Sequence, residues 1–150
     1  MRLVVQRVTR ASVAEQGHLL GAIGTGAVVL VGIASVDDAG TVDRLADRVA
    51  ELRYFEDEEG RTNRSIADVH GALLVVSQFT LLADTRRGRR PGFSAAADPE
   101  LARPLVERFV ARLREHGLQV ETGSFGAQMR LELVNDGPFT LVMDLAPNGG

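Results

Sequence analysis

Apolar and polar residues follow two periods along this chain, and each change of period marks a predicted element. β-branched residues dominate 2–9 and 11–15, which predicts two strands, and the apolar run 27–34 predicts a strand buried on both faces. From Asp37 the apolar positions recur every three or four residues, which predicts a helix over 38–54. The first third of the chain therefore reads as strands followed by a helix.

The remainder of the chain repeats this alternation. An apolar run predicts a strand over 72–76, and irregular Arg, Gly and Pro residues predict an exposed loop over 83–94. Asp98 suits the N-cap of a second helix that ends near His116-Gly117, although Pro104 is expected to separate its first turn or bend it. Three final strands are predicted at 118–123, 129–134 and 139–145.

This order of elements predicts an α/β fold: a single domain over 1–150 in which layered β-sheets are covered by two helices. The length of 150 residues suits one hydrophobic core. Gly21, Gly24 and Gly26 resemble a dinucleotide-binding loop, but they precede a strand instead of opening a helix. We interpret them as a hairpin turn.

Composition removes several kinds of chemistry. All 17 basic residues are Arg and Cys is absent, which excludes lysine Schiff bases, P-loop lysines, disulfides and thiolate sites. The three His are far apart, so neither a metal nor a cofactor is expected. The net charge of −3 argues against a broadly basic nucleic-acid surface. No signal peptide or spanning helix is predicted, so we expect a cytoplasmic protein without membrane contact.

Three segments are candidates for chemistry, and each has a plain structural alternative. Ser77-Gln78-Phe79-Thr80 lies where a buried strand ends, a position that favours reactive groups, although its hydroxyls could simply satisfy local backbone groups. We interpret Asn135-Asp136-Gly137-Pro138 first as a turn, but its Gly-Pro bond is also one in which the cis form costs little free energy. Arg86-Arg87-Gly88-Arg89-Arg90 is either a solvated loop or a phosphate contact.

Together these segments resemble the D-aminoacyl-tRNA deacylases, also called D-tyrosyl-tRNA deacylases, over nearly the whole chain. The Ser-Gln-Phe-Thr and Asn-x-Gly-Pro elements in this order are highly specific to that family. The matching residues are Gln6-Arg7-Val8, Ala11-Ser12-Val13, Val75 to Leu81, Ala83-Asp84-Thr85, Arg87-Gly88, Arg90-Pro91, Phe93-Ser94, Leu133 to Pro138 and Thr140.

The resemblance implies a homodimeric enzyme of translation quality control that hydrolyses the ester between a D-amino acid and the terminal adenosine of tRNA. Gly137-Pro138 would be a cis dipeptide that enters the partner subunit's pocket, so that the active sites lie at the interface. Its carbonyls would crowd the Cβ of an L-amino acid. Glycine, which has no Cβ, would then be removed from alanine tRNA as a second activity.

Further residues receive roles by the same resemblance. Arg7 would hold the Gly-Pro loop, and Asn135 belongs to the same substrate-binding motif. Phe125 and Met129 would line the pocket for the terminal adenosine, although a Phe and a Met four residues apart are also typical of a core. In the arginine-rich loop, Arg87 and Arg90 match the family better than Arg86 and Arg89.

Ser77, Gln78, Phe79 and Thr80 are the expected catalytic segment, and two mechanisms are open. Backbone N–H groups near Phe79 and Thr80 would stabilise the oxyanion. Thr80 could be the nucleophile, but it has no His or Lys beside it in the sequence. We favour activation of water by the 2′-hydroxyl of the tRNA. The alternative function is a non-catalytic tRNA-binding or editing-accessory module of the same fold.

Overall fold

The computed structural model describes residues 1–147, which form the expected α/β arrangement of strands with two α-helices. The elements are β1 Arg2–Glu15, β2 His18–Ile23, β3 Gly26–Gly32, α1 Ala39–Glu51, β4 Phe55–Glu56, β5 Thr62–Arg64, β6 Ala72–Ser77, α2 Pro99–Glu115, β7 Gln119–Thr122 and β8 Arg130–Asp144. A 3₁₀ turn, Phe79–Leu82, follows β6.

The main sheet has the order β2-β1-β3-β6-β7, and β8 also pairs with β1. β1 is antiparallel to β2, β3 and β8, whereas β3–β6 and β6–β7 are parallel. The sheet curls until β2 meets β7: a Cβ placed on Gly21 would lie 3.2 Å from the Cβ of Glu121. The curl gives the sheet a nearly closed, barrel-like shape with an inner and an outer face.

Both faces of the central strands are buried. Val29 and Leu73 belong to a cluster that packs under α1 and α2, and Val28 and Leu74 belong to a second cluster inside the curl. Burying each such side chain contributes about 1.5–3 kcal/mol. This two-sided burial is why β3 and β6 are continuous apolar runs, and it confirms the prediction of a strand buried on both faces for 27–34.

The two helices lie close to their predicted positions. The Asp38 carboxylate accepts a 2.7 Å hydrogen bond from Thr41 N–H and caps α1, and this bond lowers the pKa of Asp38. α2 begins at Pro99 and runs through Pro104 without interruption, so the expected separate first turn is wrong. Pro104 leaves the Glu100 carbonyl without its usual donor, and the exposed position of Glu100 gives that carbonyl access to water.

Several strand boundaries differ from the predictions for one physical reason. The strands predicted at 2–9 and 11–15 are the single strand β1, and those at 129–134 and 139–145 are the single strand β8. Each strand continues because the other pairs with it along almost its full length, from Arg2 opposite Asp144 to Ala14 opposite Arg130. The hairpin turn expected at Gly21–Gly26 is wrong in part, because Gly21 lies inside β2 and pairs with Val13.

No helix within residues 1–147 has the length and apolar character needed to cross a membrane.

Candidate active site

A cavity of about 610 Å³ lies where β3 and β6 end, between the start of α2 and the segment that leads into β8. It brings together five of the residues expected at the active site, from separate parts of the chain. These residues are Ser77, Gln78, Phe79, Phe125 and Met129. The volume is in the range of small-molecule sites.

The 3₁₀ turn follows β6 because the backbone packs closely against β3. Gln78 N–H continues the parallel pairing with a 2.7 Å bond to the Val31 carbonyl, and Leu81 N–H then bonds the Gln78 carbonyl at 3.2 Å. Gly32 permits this packing, since a Cβ there would overlap Leu82 Cδ2. The hydrogen bonds of the 3₁₀ turn begin with Leu81 N–H, so the N–H groups of Phe79 and Thr80 have no acceptor within the turn. They are therefore candidate donors to a substrate oxygen.

Thr80 does not line the cavity, although the sequence places it in the catalytic segment. Its exposed hydroxyl accepts a short hydrogen bond from the Gln78 side-chain amide. Among the described residues that line the cavity, Asp98 is the one with an ionisable side chain. The described cavity wall therefore carries no imidazole or amine that could serve as a base.

An aromatic pair borders the cavity and ties it to the arginine-rich loop. The rings of Phe79 and Phe93 meet edge to face, with centroids 5.0 Å apart and an interplanar angle of 66°. Reciprocal backbone bonds of 2.7 and 2.9 Å between Asp84 and Gly92 close the loop. The sequence did not lead us to assign Phe93 to the site. Its position in one of the segments that match the family, as an aromatic residue in a polar loop, could have indicated such a role.

Among residues 1–147, one guanidinium group of the arginine-rich loop forms an ion pair and three do not. Arg86 donates to the Asp84 carboxylate at 2.9 and 2.8 Å, and these bonds hold the pKa of Asp84 below its usual range. Arg87, Arg89 and Arg90 are exposed, and none forms an ion pair within the described part of the chain. The unpaired positive charge of the loop thus comes from the last three.

Phe125 and Met129 are both half-buried and line the cavity. The Met129 sulfur accepts a 3.3 Å hydrogen bond from Ser124 N–H, and the absence of a side chain at Gly123 makes room for that sulfur. The Arg103 guanidinium lies 4.7 Å above the Phe125 ring, within cation–π range. The two residues predicted for the adenosine pocket thus contact the core and also form a wall of the cavity.

The Gly-Pro segment is a bulge in β8. Between the pairs Gln6–Thr140 and Val8–Asn135, β8 contains three more residues than β1, and the extra chain projects from the sheet. The Gly137–Pro138 peptide bond within it is cis. The expected cis bond is therefore present, whereas the expected turn is replaced by a bulge inside one long strand.

The Asn135 side chain closes the base of this bulge. Its amide nitrogen donates to the carbonyls of Arg7 and Phe139, both at 2.9 Å. Its oxygen accepts a 3.0 Å bond from Phe139 N–H. Asn135 therefore bonds the β8 backbone on the far side of the bulge and the β1 backbone opposite it.

Arg7 lies beneath the bulge with its side chain buried. Its Nε donates to the Asp136 carbonyl and its Nη1 to the Tyr54 carbonyl, both at 3.0 Å. The guanidinium is 4.8 Å from the centroid of the Phe139 ring. The Tyr54 hydroxyl is also buried, and this burial raises its pKa. Sequence reasoning identified Arg7, but the Tyr54 and Phe139 contacts depend on tertiary structure.

One chain does not bring the Gly-Pro bulge to the Ser77–Thr80 segment. Ser77 pairs with Val31, which pairs with Leu3, whereas Asn135 pairs with Val8. The bulge lies between the pairs at Gln6 and Val8, so it is offset from Leu3 by three to five residues along β1, which corresponds to about 10–17 Å at ~3.3 Å per residue. The predicted site residues thus form two separate groups, one around the cavity and one around Arg7.

Within residues 1–147, no cluster of three or more His, Asp or Glu side chains is arranged to hold a metal ion.

Comparison with known proteins places this architecture in a family. The model of the D-Tyr-tRNA(Tyr) deacylase family matches residues 4–144. A D-aminoacyl-tRNA deacylase of Symbiobacterium thermophilum is 59% identical over 144 residues, which cover 96% of this chain and 95% of that protein. A D-aminoacyl-tRNA deacylase of Chloroflexus aurantiacus is 56% identical over 146 residues, covering 97% and 91%.

Two solved structures agree with this assignment. One, described as the c-Myc DNA unwinding element binding protein, has a TM-score of 0.91 and 38% identity, and the match covers 98% of this chain and 100% of that one. A probable eukaryotic D-amino acid tRNA deacylase has a TM-score of 0.84 at 17% identity, covering 96% and 98%, which shows a shared fold. The family match, the relatives and the fold agree that this chain belongs to the D-Tyr-tRNA(Tyr) deacylase family.

Proposed function

We propose that this protein hydrolyses the ester that joins a D-amino acid to the terminal adenosine of tRNA, releasing the free D-amino acid and tRNA. The cavity at the end of β6 carries this proposal, because it joins the Ser77-Gln78-Phe79 segment to an apolar wall formed by Phe125 and Met129. Such an apolar wall suits the face of a nucleoside base. The names of the two bacterial relatives support the same activity.

We propose that the substrate supplies the base. The 2′-hydroxyl of the terminal adenosine would activate a water molecule, whose oxygen attacks the ester carbonyl and whose proton ends on the departing 3′-oxygen. The Phe79 and Thr80 N–H groups would stabilise the oxyanion, at about 2.7–4 kcal/mol for each well-placed donor. Thr80 lies outside the described cavity wall, and that wall carries no His or Lys; both observations support this mechanism over a Thr80 nucleophile.

We propose a homodimer in which the Gly-Pro bulge of one subunit completes the cavity of the other. The separation of the two groups within one chain, about 10–17 Å along the strands, supports this arrangement. The outer edge of β8 has no strand partner within residues 1–147, and Val142 on β8 is 65% exposed. An unpaired edge with exposed apolar side chains favours association with a second copy.

Under this proposal the backbone of the bulge distinguishes D-amino acids from L-amino acids. The Gly137 and Pro138 carbonyls would crowd the side on which an L-amino acid carries its Cβ and leave room for the D-enantiomer. Because such a filter does not contact the side chain, many D-amino acids would pass. Glycine would pass as well, so glycine on alanine tRNA is a further expected substrate.

The deciding experiment compares D-Tyr-tRNA with L-Tyr-tRNA. Purified protein is incubated with each, and loss of the ester is followed over time against a reaction without protein. We expect rapid release from the D-substrate and little above background from the L-substrate. Binding of tRNA without release of either amino acid would favour the alternative, a non-catalytic tRNA-binding or editing-accessory module.

A mixing experiment tests the shared site. A bulge variant, Gly137→Ala, and a cavity variant, Phe79→Ala, are prepared separately, each with low activity, and then mixed under conditions that exchange subunits. At equal concentrations and random exchange about half of the dimers would be mixed, and each mixed dimer would contain one intact site of two, so activity should rise toward about a quarter of the wild-type value. Activity that stays at the sum of the two variants would contradict a site built from two chains.

A further inference from the structure

A second cavity of about 400 Å³ lies beside the first, between α2 and the chain that follows β7. Ser77 and Phe125 line both cavities, so the two share a wall. The second cavity is more polar than the first, because it carries the charged side chains of Arg103, Glu107 and Arg114. None of these three residues was a candidate from the sequence.

Arg103 is placed to bind an anion. Its guanidinium carbon lies 4.7 Å from the centroid of the Phe125 ring, and this cation–π contact holds the group near the ring without using its N–H donors. Within residues 1–147 its side chain takes part in no ion pair or hydrogen bond, whereas Arg108 and Arg112 on the same helix both pair with aspartates of α1. Arg103 therefore presents unused donors at a defined position.

The other charged groups leave the second cavity net positive. Arg114 donates one 2.8 Å bond to the Val120 carbonyl and has no carboxylate partner in the described part of the chain. Glu107 contributes one negative charge and forms no ion pair there either. Two guanidinium groups against one carboxylate give the lining an excess of one positive charge, in a protein whose formal net charge is −3.

We infer that the second cavity binds a phosphate of the RNA strand, from the nucleotide that precedes the terminal adenosine, with Arg103 as its principal ligand. This inference rests on the proposed function, since the first cavity must hold the terminal adenosine. The strand would leave that cavity past Phe125 and reach the guanidinium that lies over the same ring. Guanidinium groups match the geometry of phosphate oxygens, and such contacts fix the register of a nucleic acid.

The test compares two substrates that differ in their phosphates. D-Tyr-tRNA carries the complete strand, whereas 3′-O-(D-tyrosyl)adenosine has the same ester and base but no phosphate. The variants are Arg103→Ala, which removes the charge, and Arg103→Lys, which keeps it. Arg108→Ala is the matched control, because Arg108 lies on the same helix and its guanidinium pairs with Asp43 on α1.

We expect Arg103→Ala to raise KM for D-Tyr-tRNA by about fivefold relative to its effect on the adenosine ester, the size expected from the loss of one exposed ion pair. Arg103→Lys should recover much of this difference, and Arg108→Ala should show none. The dependence of log KM on log salt concentration should also become shallower by about 0.7, the value for one phosphate contact on a single strand.

Equal changes on both substrates would overturn the inference, because they would mean that Arg103 acts only by orienting Phe125. Unchanged kinetics on both substrates would overturn it as well. Binding of uncharged tRNA by each variant is measured in parallel. If the wild type fails to hydrolyse either D-substrate, the proposed function fails, and equal tRNA affinity of wild type and Arg103→Ala would then reject the phosphate site separately.

Discussion

Arg7 donates a 3.0 Å hydrogen bond from Nε to the main-chain carbonyl of Asp136, the residue immediately before Gly137. The donor belongs to β1 and the acceptor to the bulge of β8, so a buried side chain of one strand fixes the backbone of the other. The same guanidinium also bonds the Tyr54 carbonyl at 3.0 Å. Arg7 thus ties together three segments that are far apart in sequence.

Replacing Arg7 by Ala is expected to destabilise the fold and loosen the bulge. The Tyr54 and Asp136 carbonyls would lose their donors, at a cost of about 1–3 kcal/mol for each one that stays buried. Chemical denaturation measures the loss, and release from L-Tyr-tRNA should rise relative to D-Tyr-tRNA. Arg10→Ala is the control, because Arg10 is exposed on the same strand. A stable Arg7→Ala variant with full discrimination would contradict the assigned role.

Gly137→Ala is expected to displace the bulge. Gly137 has a φ of +139°, and a Cβ there would lie 2.9 Å from Phe139 N and 3.1 Å from Arg7 Nη2. The backbone would have to move, and deacylation of D-Tyr-tRNA should fall by about tenfold or more, as for a small misplacement of a positioning group. Gly17→Ala provides a comparison at another positive φ, +83°, with open space around the added carbon and outside the cavity lining. Normal activity of Gly137→Ala would argue against a close-fitting bulge.

Thr80→Ala separates the two mechanisms. If the 2′-hydroxyl of the tRNA drives the reaction, the variant should keep measurable deacylation, with a loss of about tenfold or less from removing the hydroxyl that bonds Gln78. A tRNA that ends in 2′-deoxyadenosine should then be inert with the wild type. A Thr80→Ala variant that folds and binds tRNA but has no activity would support Thr80 as the nucleophile.

Gly26→Ala is expected to disrupt the parallel pairing of β3 with β6. A Cβ on Gly26 would overlap the Ala72 carbonyl oxygen and lie 2.8 Å from the Ala72 carbonyl carbon. Relief requires the two central strands to separate, so the free energy of unfolding should fall by about 3 kcal/mol or more. Gly24→Ala is a close control, since nothing lies within 4 Å of its added carbon. Similar urea midpoints for the two variants would refute the explanation.

Asp47 should make stability depend on pH in the acid range. Hydrogen bonds from Arg112, and then from His116, lower the pKa of Asp47 below its ordinary value of about 3.9. Its stabilising contribution is therefore complete above that ordinary value and is lost as pH falls through the lower pKa of the folded state. Asp47→Asn should lower stability at pH 7 by about 0.5–1 kcal/mol and by much less near pH 2.

The control for this measurement is Glu51→Gln on the same helix, because the Glu51 carboxylate has no ion-pair partner among residues 1–147. Thermal unfolding is followed at pH 7, 5 and 2 for both variants and the wild type. A difference between Asp47→Asn and wild type that persists unchanged at pH 2 would contradict the assigned ion pair.

Local patterns predicted the helices well and the strand boundaries less well. The start of α2 was recognisable from Asp98, and that of α1 from the change of period after Asp37, because both signals depend on nearby residues. The extents of β1 and β8 depend on their mutual pairing, in which Arg2 lies opposite Asp144, almost the whole chain away. Sequence periodicity gives no information about a partner so distant in the chain. Each of the two long strands was therefore predicted as two shorter strands, divided where its pattern is irregular.

The sequence by itself determined the α/β class, the two helices, the family and the presence of the Ser77–Thr80 and Asn135–Pro138 motifs, because these follow from short-range patterns and specific residue types. Tertiary structure decided which residues share a cavity: it brought Phe93, Phe125 and Met129 to Ser77 and left Thr80 outside. It also placed the Gly-Pro bulge above Arg7 and away from that cavity. Strand register and the curl of the sheet set these distances, and both arise from pairing between residues remote in sequence.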